Sequence, residues 1–271
     1  MKQWIMVIDV ARCHNCNNCF LACKDEFVGN DFPPYSSAMP RHLHRWRDVD
    51  RVDRGKYPLI DIVHRPTNCM MCEDAPCMKA AGDAAYRRDD GIVMIDPVKS
   101  KGRRDIAESC PYGAIYWNEE LGIPQKCTFC AHLLDEGWLQ TRCSQICPTG
   151  ATAFRAVEAG EIDALLREEG LERYRDELGT KPRVFYKNLY RFTKHFISGS
   201  LIMDGECCEG ALVTAERDGV KKEARSDGFG DFRVDGLDPG QYAVTIEYPG
   251  RPSIAKEVRL EKSCNLGDIV V

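Results

Sequence analysis

The chain has 271 residues, 44% of them apolar, with 37 Lys plus Arg against 42 Asp plus Glu for a net charge of −5. That length suits two domains and that apolar content supplies a core, which excludes a disordered chain. The acidic balance gives no reason to expect a nucleic-acid partner, and cysteine is the outlier, with 15 residues of which twelve lie between Cys13 and Cys147.

In chain order, the first apolar stretch, Trp4 to Val10, is interrupted by Asp9 and falls short of the ~20 apolar residues of a membrane span. No transmembrane helix and no membrane partner is expected. No basic and apolar signal opens the chain either, so the expected location is cytoplasmic, where thiols stay reduced or bind metal. Next come Cys13, Cys16, Cys19 and Cys23, spaced C-x2-C-x2-C-x3-C, the run that bacterial ferredoxins use for cubane iron–sulfur clusters. Three thiolates on one tight loop wrap one cluster and the fourth turns toward a second. Structural zinc prefers two separated pairs and has no use for the close triple, so the run favours iron–sulfur.

A basic insertion follows, Arg41-His42-Leu43-His44-Arg45-Trp46-Arg47 with Arg51 and Arg54. It either faces an acidic partner or raises a cluster potential, or is a solvated loop with a Trp anchor. His42 and His44 have ligand-like spacing, but two His alone seldom make a metal site, and a structural role is expected. His14 lies inside the first cluster loop, where it either tunes potential or is merely exposed; His64, His132 and His195 do not cluster with other ligands in sequence. Cys69, Cys72 and Cys77 then form C-x2-C-x4-C, with Ala81 where a fourth ligand would stand, and Cys110-Pro111 looks like the end of a run whose earlier positions are Ser100, Arg103 and Ile106. The last group, Cys127, Cys130, Cys143 and Cys147, reads C-x2-C-x12-C-x3-C.

If each run lends its last cysteine to its partner, three complete sets result. They are Cys13, Cys16, Cys19 and Cys147; Cys23, Cys127, Cys130 and Cys143; and Cys69, Cys72, Cys77 and Cys110. A fourth set would have needed Ala81, Ser100, Arg103 and Ile106, and all four of its ligands are gone. Random decay would break sites on both sides, so the pattern itself argues for the pairing and for three 4Fe–4S clusters held by twelve thiolates. Ile106 and Arg103 would help fill the vacated volume, since an empty space there would destabilise the fold.

Beyond the cysteines, Ile162, Leu165, Leu166, Tyr174 and Leu178 recur near helical spacing before Gly179, which predicts one surface helix over 160–179. Residues 182–196 are basic and aromatic, as suits a strand or an extended connector packed on another surface. From about Phe196, alternating runs such as Tyr242, Val244, Ile246 and Tyr248, broken by Asp-Gly and Pro-Gly turns, predict an all-β, seven-stranded sandwich. Residues 196–271 hold 9 basic and 14 acidic side chains and so carry the whole net charge. The sandwich resembles transthyretin-like or carboxypeptidase-regulatory-like domains. Its Cys207, Cys208 and Cys264 are expected to be buried free thiols.

These four cysteine groups, including Cys-Met-Met-Cys-Glu-Asp-Ala-Pro-Cys at 69–77 and Cys-Thr-Phe-Cys at 127–130, resemble the iron–sulfur subunits of the dimethyl sulfoxide reductase family of molybdopterin oxidoreductases over about residues 1–195. The resemblance implies an α+β protein with tandem bacterial-ferredoxin-like domains in residues 1–157, where 1–59 with 115–157 surround two clusters and 60–114 surround one. A helix and connector at 158–195 and the sandwich at 196–271 complete the organisation. It also implies a non-catalytic electron-transfer subunit, with no catalytic residue of its own, paired as a heterodimer with a large catalytic subunit that alone holds molybdopterin guanine dinucleotide and molybdenum. The Cys13 site would lie nearest that subunit, then the Cys23 site, then the Cys69 site. Loss of one whole site together with the appended sandwich is similar to the transhydroxylases of the family, whose large subunit moves a hydroxyl group between polyhydroxybenzenes. A subunit of another molybdopterin reductase or dehydrogenase, or a free-standing polyferredoxin, is the alternative.

Overall fold

The computed structural model describes residues 2–271, which form two compact units, 2–50 with His64–Leu189 and Arg51–Val63 with Tyr190–Val271. Among the described residues no helix is long and apolar enough to cross a membrane.

In the first unit the early apolar stretch becomes the strand Lys2–Asp9, with Ile5, Met6 and Ile8 fully buried. It lies inside a four-stranded sheet, antiparallel to Thr152–Glu158 (Met6 opposite Phe154) and parallel to Val184–Lys187 (Met6 opposite Val184). Glu172–Arg173 forms the far edge, antiparallel to Val184–Lys187. A strand paired on both sides has all its backbone groups satisfied, which is why its apolar residues can be buried so completely. Two short hairpins, Ala85–Arg87 with Val93–Ile95 and Tyr116–Asn118 with Ile123–Gln125, surround short helices. Helix Asn18–Phe27 buries Cys19, Cys23 and Phe27 at successive four-residue steps, the spacing that keeps one helix face inward. Pro76 opens helix Pro76–Ala81 at a position where its missing N–H costs nothing, and Thr141 caps helix Arg142–Gln145 in a reciprocal capping box with Ser144.

The helix expected over 160–179 is shorter. It runs Ile162–Glu169 and stops at Gly170, whose left-handed conformation (φ 62°) ends the helix; the chain then gives strand Glu172–Arg173 and a 3-10 turn at Asp176–Leu178. Leu166 and Leu171 do pack on Ile5 and Phe185, so the apolar spacing was real but two elements share it. The aromatic segment 182–196 supplies the sheet strand Val184–Lys187, with Phe185 and Tyr186 fully buried, and then the short helix Tyr190–Thr193.

The second unit is a sandwich. In one sheet, His195–Met203 is antiparallel to Asp231–Leu237 and Glu206–Cys207 and parallel to Cys264–Val270. The other runs Val220–Arg225, Leu212–Arg217, Gly240–Glu247, Ile254–Leu260, all antiparallel. Seven strands of six residues or more match the expected number, with the two-residue Glu206–Cys207 as an addition. The alternation holds at Tyr242, Val244 and Ile246, which are buried with Ile197, Val213 and Phe232 in one core. Of the three cysteines expected to be buried thiols, only Cys208 is, at 1% exposure; Cys207 is exposed and Cys264 is intermediate, and all three are free.

The tip of the hairpin Arg47–Lys56 and Leu59–Asn68 belongs to this second unit and is tied there by charge. Arg54, with 2% of its side chain exposed, donates to Asp61 Oδ2 at 2.5 Å and to Asp235 at 2.8 and 3.0 Å. Arg233 reaches both carboxylates as well, and Arg191 donates to Asp61 at 3.2 Å. The reading of Arg54 as part of a solvated or partner-facing basic loop is therefore corrected, because its charge is consumed inside the fold. Arg51 is the exposed member and pairs with Asp53.

Candidate metal centres

The first site begins where the short 3-10 turn Val10–Arg12 delivers Cys13 to a loop. Asn15 and Asn17 take left-handed backbone conformations (φ 56° and 60°), which Asn tolerates better than most residues, so the loop curls back and the helix starts at Asn18 with Cys19 inside it. Cys147 arrives from beyond helix Arg142–Gln145. Cys13, Cys16, Cys19 and Cys147 line one cavity together with His14, Thr149 and Thr152. Cys16 and His14 are exposed. Burial and the neighbouring thiols push Cys13 up, whereas at Cys147 the Thr149 hydroxyl and the backbone N–H groups of Thr149, Ala151 and Thr152 outweigh burial and hold the thiol below its usual range.

In the second site, Cys23 of helix Asn18–Phe27 faces Cys127 and Cys143, and Cys130 faces all three. Burial first, and the crowding of thiols second, pushes Cys23 and Cys130 well up and Cys127 to about 12. The third site gathers Cys69, Cys72, Cys77 and Cys110 around one cavity walled by Met70, Ala75, Val93 and Ile115. Burial and Cys69 push Cys72 to about 12 and Cys77 to about 11. Cys127 also faces Cys69, so the second site adjoins the third.

The donor sets fit iron–sulfur clusters. The first and third are four sulfurs lining one cavity each, and in the second four thiols face one another. In the second and third sites burial and crowding disfavour a free thiolate, and the positive charge of bound iron would supply what that ionised form needs.

At the vacated positions, Ala81 and Ile106 are buried at 1% and 0% exposure and Ser100 is fully buried, with helix Arg104–Glu108 packed on helix Pro76–Ala81. Arg103 contributes less filling than expected. Its guanidinium donates to Ala80 O at 2.7 Å, but its side chain remains 41% exposed and pairs with Asp105. Ile106 is thus the main plug. Ile106→Val is expected to cost about 0.5–1.5 kcal/mol of stability, read by denaturant unfolding of the full chain, with cluster content unchanged.

Two buried cations lie between the sites: Arg47 belongs to the basic insertion, for which raising a cluster potential was one of the readings left open, and Lys126 was not singled out from the sequence. Arg47 is 1% exposed and not part of a solvated loop. Its guanidinium donates to Asn68 Oδ1 at 2.6 Å and Thr152 Oγ1 at 2.5 Å. Burial would push it toward neutrality, yet the facing thiols of Cys143 and Cys19 hold it above its ordinary range. Lys126 donates to Val93 O at 2.5 Å and Cys127 O at 3.1 Å, and it faces Cys77 and Cys110. The only sequence signal for Lys126 is its place immediately before a cysteine pair in an apolar stretch. The histidines are structural. His44 is buried with Nε2 at 3.0 Å from Trp117 O, and His132 Nε2 lies 2.9 Å from Glu26 Oε1.

Residues 60–157 match the model of the 4Fe-4S dicluster domain, and residues 197–266 match that of the carboxypeptidase regulatory-like domain. The chain is 46% identical to the pyrogallol hydroxytransferase small subunit of Pelobacter acidigallici over 99% of both chains. It is 32% identical to a putative dimethyl sulfoxide reductase iron-sulfur subunit of Halobacterium salinarum, covering 69% of this chain and 80% of that one. It is also 31% identical to a selenate reductase subunit of Mesobacillus selenatarsenatis, covering 68% and 71%.

Proposed function

The chain belongs to the iron–sulfur subunits of the dimethyl sulfoxide reductase family of molybdopterin oxidoreductases, and from that premise we propose that it carries three 4Fe–4S clusters for a large molybdopterin subunit, in a heterodimer, that transfers a hydroxyl group between polyhydroxybenzenes, pyrogallol to phloroglucinol. As an electron-transfer subunit it needs no general acid, base or nucleophile. The observation that carries the reading is the match over 99% of both chains, sandwich included, to a pyrogallol hydroxytransferase small subunit.

Bound clusters would supply one-electron transfer at potentials set by charge, hydrogen bonds to sulfur and exposure. A row with the Cys23 site in the middle is supported by Cys23 sharing helix Asn18–Phe27 with Cys19 and by Cys127 facing Cys69. Cys16 and His14 expose the first site, and Leu21 (58% exposed) and Ile146 (45%) stand beside it on packed helices, which supports the large subunit covering that end. Beyond the third site the vacated positions are closed by Ile106 and Ala81. Hydroxyl transfer from a tetrahydroxybenzene cosubstrate is redox-neutral overall, so a row without a terminal site suits it.

The test is to purify the native complex, measure molybdenum, and assay conversion of pyrogallol with a tetrahydroxybenzene cosubstrate and no electron acceptor. Turnover under those conditions is the expected result. Steady reduction of a dye or ferredoxin by substrate, with no transfer, would move the assignment to a reductase or dehydrogenase subunit. A complex without molybdenum or a large partner would make the chain an independent polyferredoxin.

A further inference from the structure

A buried cation needs a counter-charge, because desolvating an unpaired ion costs far more than its hydrogen bonds to neutral groups return. Arg47 is 1% exposed, and the side chains that accept from its guanidinium are all neutral: Asn68 Oδ1, Thr152 Oγ1 and Met6 Sδ at 3.4 Å. Among the described residues no carboxylate lies within 4.0 Å of it as an ion-pair partner. What does surround it is sulfur from two sites. Its guanidinium faces Cys19 of the first and Cys143 of the second, and its backbone N–H points to Cys23 of the second. Thr152, which fixes one arm of the guanidinium, also lines the first cavity. Asn68, which fixes the other, donates through Nδ2 to Cys69 O at 2.8 Å, so both arms are anchored on the walls of cluster sites.

We infer that the Arg47 guanidinium is the fixed counter-ion shared by the first and second cluster sites, and that it holds both at higher reduction potentials than they would have without it. The inference rests on the reading that these sites bind 4Fe–4S clusters. A guanidinium is always protonated in proteins, so its charge is constant across the working pH range. A constant positive charge beside a cluster favours the state with the extra electron, and one charge placed between two clusters favours an electron on either, so both potentials rise together. The third site has a different facing cation, Lys126, and so serves as an internal reference.

The test uses the full chain in its native complex, with Arg47→Met to remove the charge at similar volume and Arg47→Lys to keep the charge without the fork. Iron and acid-labile sulfide are measured first, then each cluster is titrated by EPR at controlled potential. With clusters loaded, Arg47→Met is expected to lower the reduction equilibrium constant of the first and second clusters tenfold or more, which is ~59 mV for one electron. The third should stay unchanged and Arg47→Lys should lie close to wild type. Unchanged potentials in a fully loaded Arg47→Met complex would overturn the inference and leave Arg47 a packing residue. If Arg47→Met loses iron while Arg47→Lys keeps it, the charge is required to hold the clusters, which supports the counter-ion role; equal loss in both variants would refute it. Failure of the underlying reading is separate, since it would show as wild-type protein lacking cubane clusters.

Discussion

Replacing Cys147 with Ala is expected to remove about four of about twelve iron atoms, and to remove them from the site of Cys13, Cys16 and Cys19. Distance along the chain suggests otherwise, because Cys147 follows Cys143 by four residues and would join Cys127 and Cys130 in a local reading. The fold crosses them. Helix Asn18–Phe27 packs on helix Arg142–Gln145, so the cysteine beyond each run is delivered to the other run's cavity: Cys147 lines the first, and Cys23 faces Cys127 and Cys143 in the second. Cys147→Ala and Cys16→Ala should therefore abolish the same EPR signal, and Cys23→Ala and Cys127→Ala should abolish a different one. If Cys147→Ala erased the signal that Cys127→Ala erases, the crossed pairing would be wrong.

Arg54→Met is expected to destabilise the sandwich unit by about 3–5 kcal/mol, the usual cost of removing one partner of a buried ionic network. The large size follows from geometry. Arg54 binds two carboxylates from different strands, Asp61 on the hairpin and Asp235 on the sheet, with almost none of its side chain in water. Denaturant unfolding of the full chain, followed by a probe in the sandwich, reads the change; a loss under about 1 kcal/mol would mean that Arg233 and Arg191 replace it. The network also sets an acid dependence. Burial alone would raise Asp61, but Arg54 and Arg233 outweigh it and hold the carboxyl below its usual range. A depressed folded-state pKa contributes stability above the unfolded value, about 3.9, and loses it as pH falls through the folded value. The stability gap between wild type and Asp61→Asn should be full at neutral pH and shrink below about pH 4. A gap constant down to pH 2 would contradict this.

Much of the candidate site was legible because cysteine spacing is a strong local signal: the three four-thiol sets expected from the runs are the sets that share cavities or face one another. The sandwich was legible for a similar reason, since the two-residue alternation at Tyr242–Ile246 is dictated by a sheet with one face in the core. The buried cations were not. Arg47 and Arg54 stand in a run of basic residues that reads equally as a solvated loop or as charges beside a partner or a cluster, and what buries them is remote in sequence: Thr152 and Asn68 for one, Asp235 for the other. The overlong helix at 160–179 has a third cause. Leu166 and Leu171 face one core from two different elements, so apolar spacing continued past Gly170, where the backbone turned.

The most direct test of the central claim is the iron and acid-labile sulfide content of this subunit in its native complex, with the subunit separated anaerobically and its mass measured with clusters retained. Three cubanes predict about twelve iron and about twelve sulfide per chain. About sixteen would mean that the positions of Ala81, Ser100, Arg103 and Ile106 do not mark a lost site, and about eight would mean that one of the three thiol sets is not a cluster site at all.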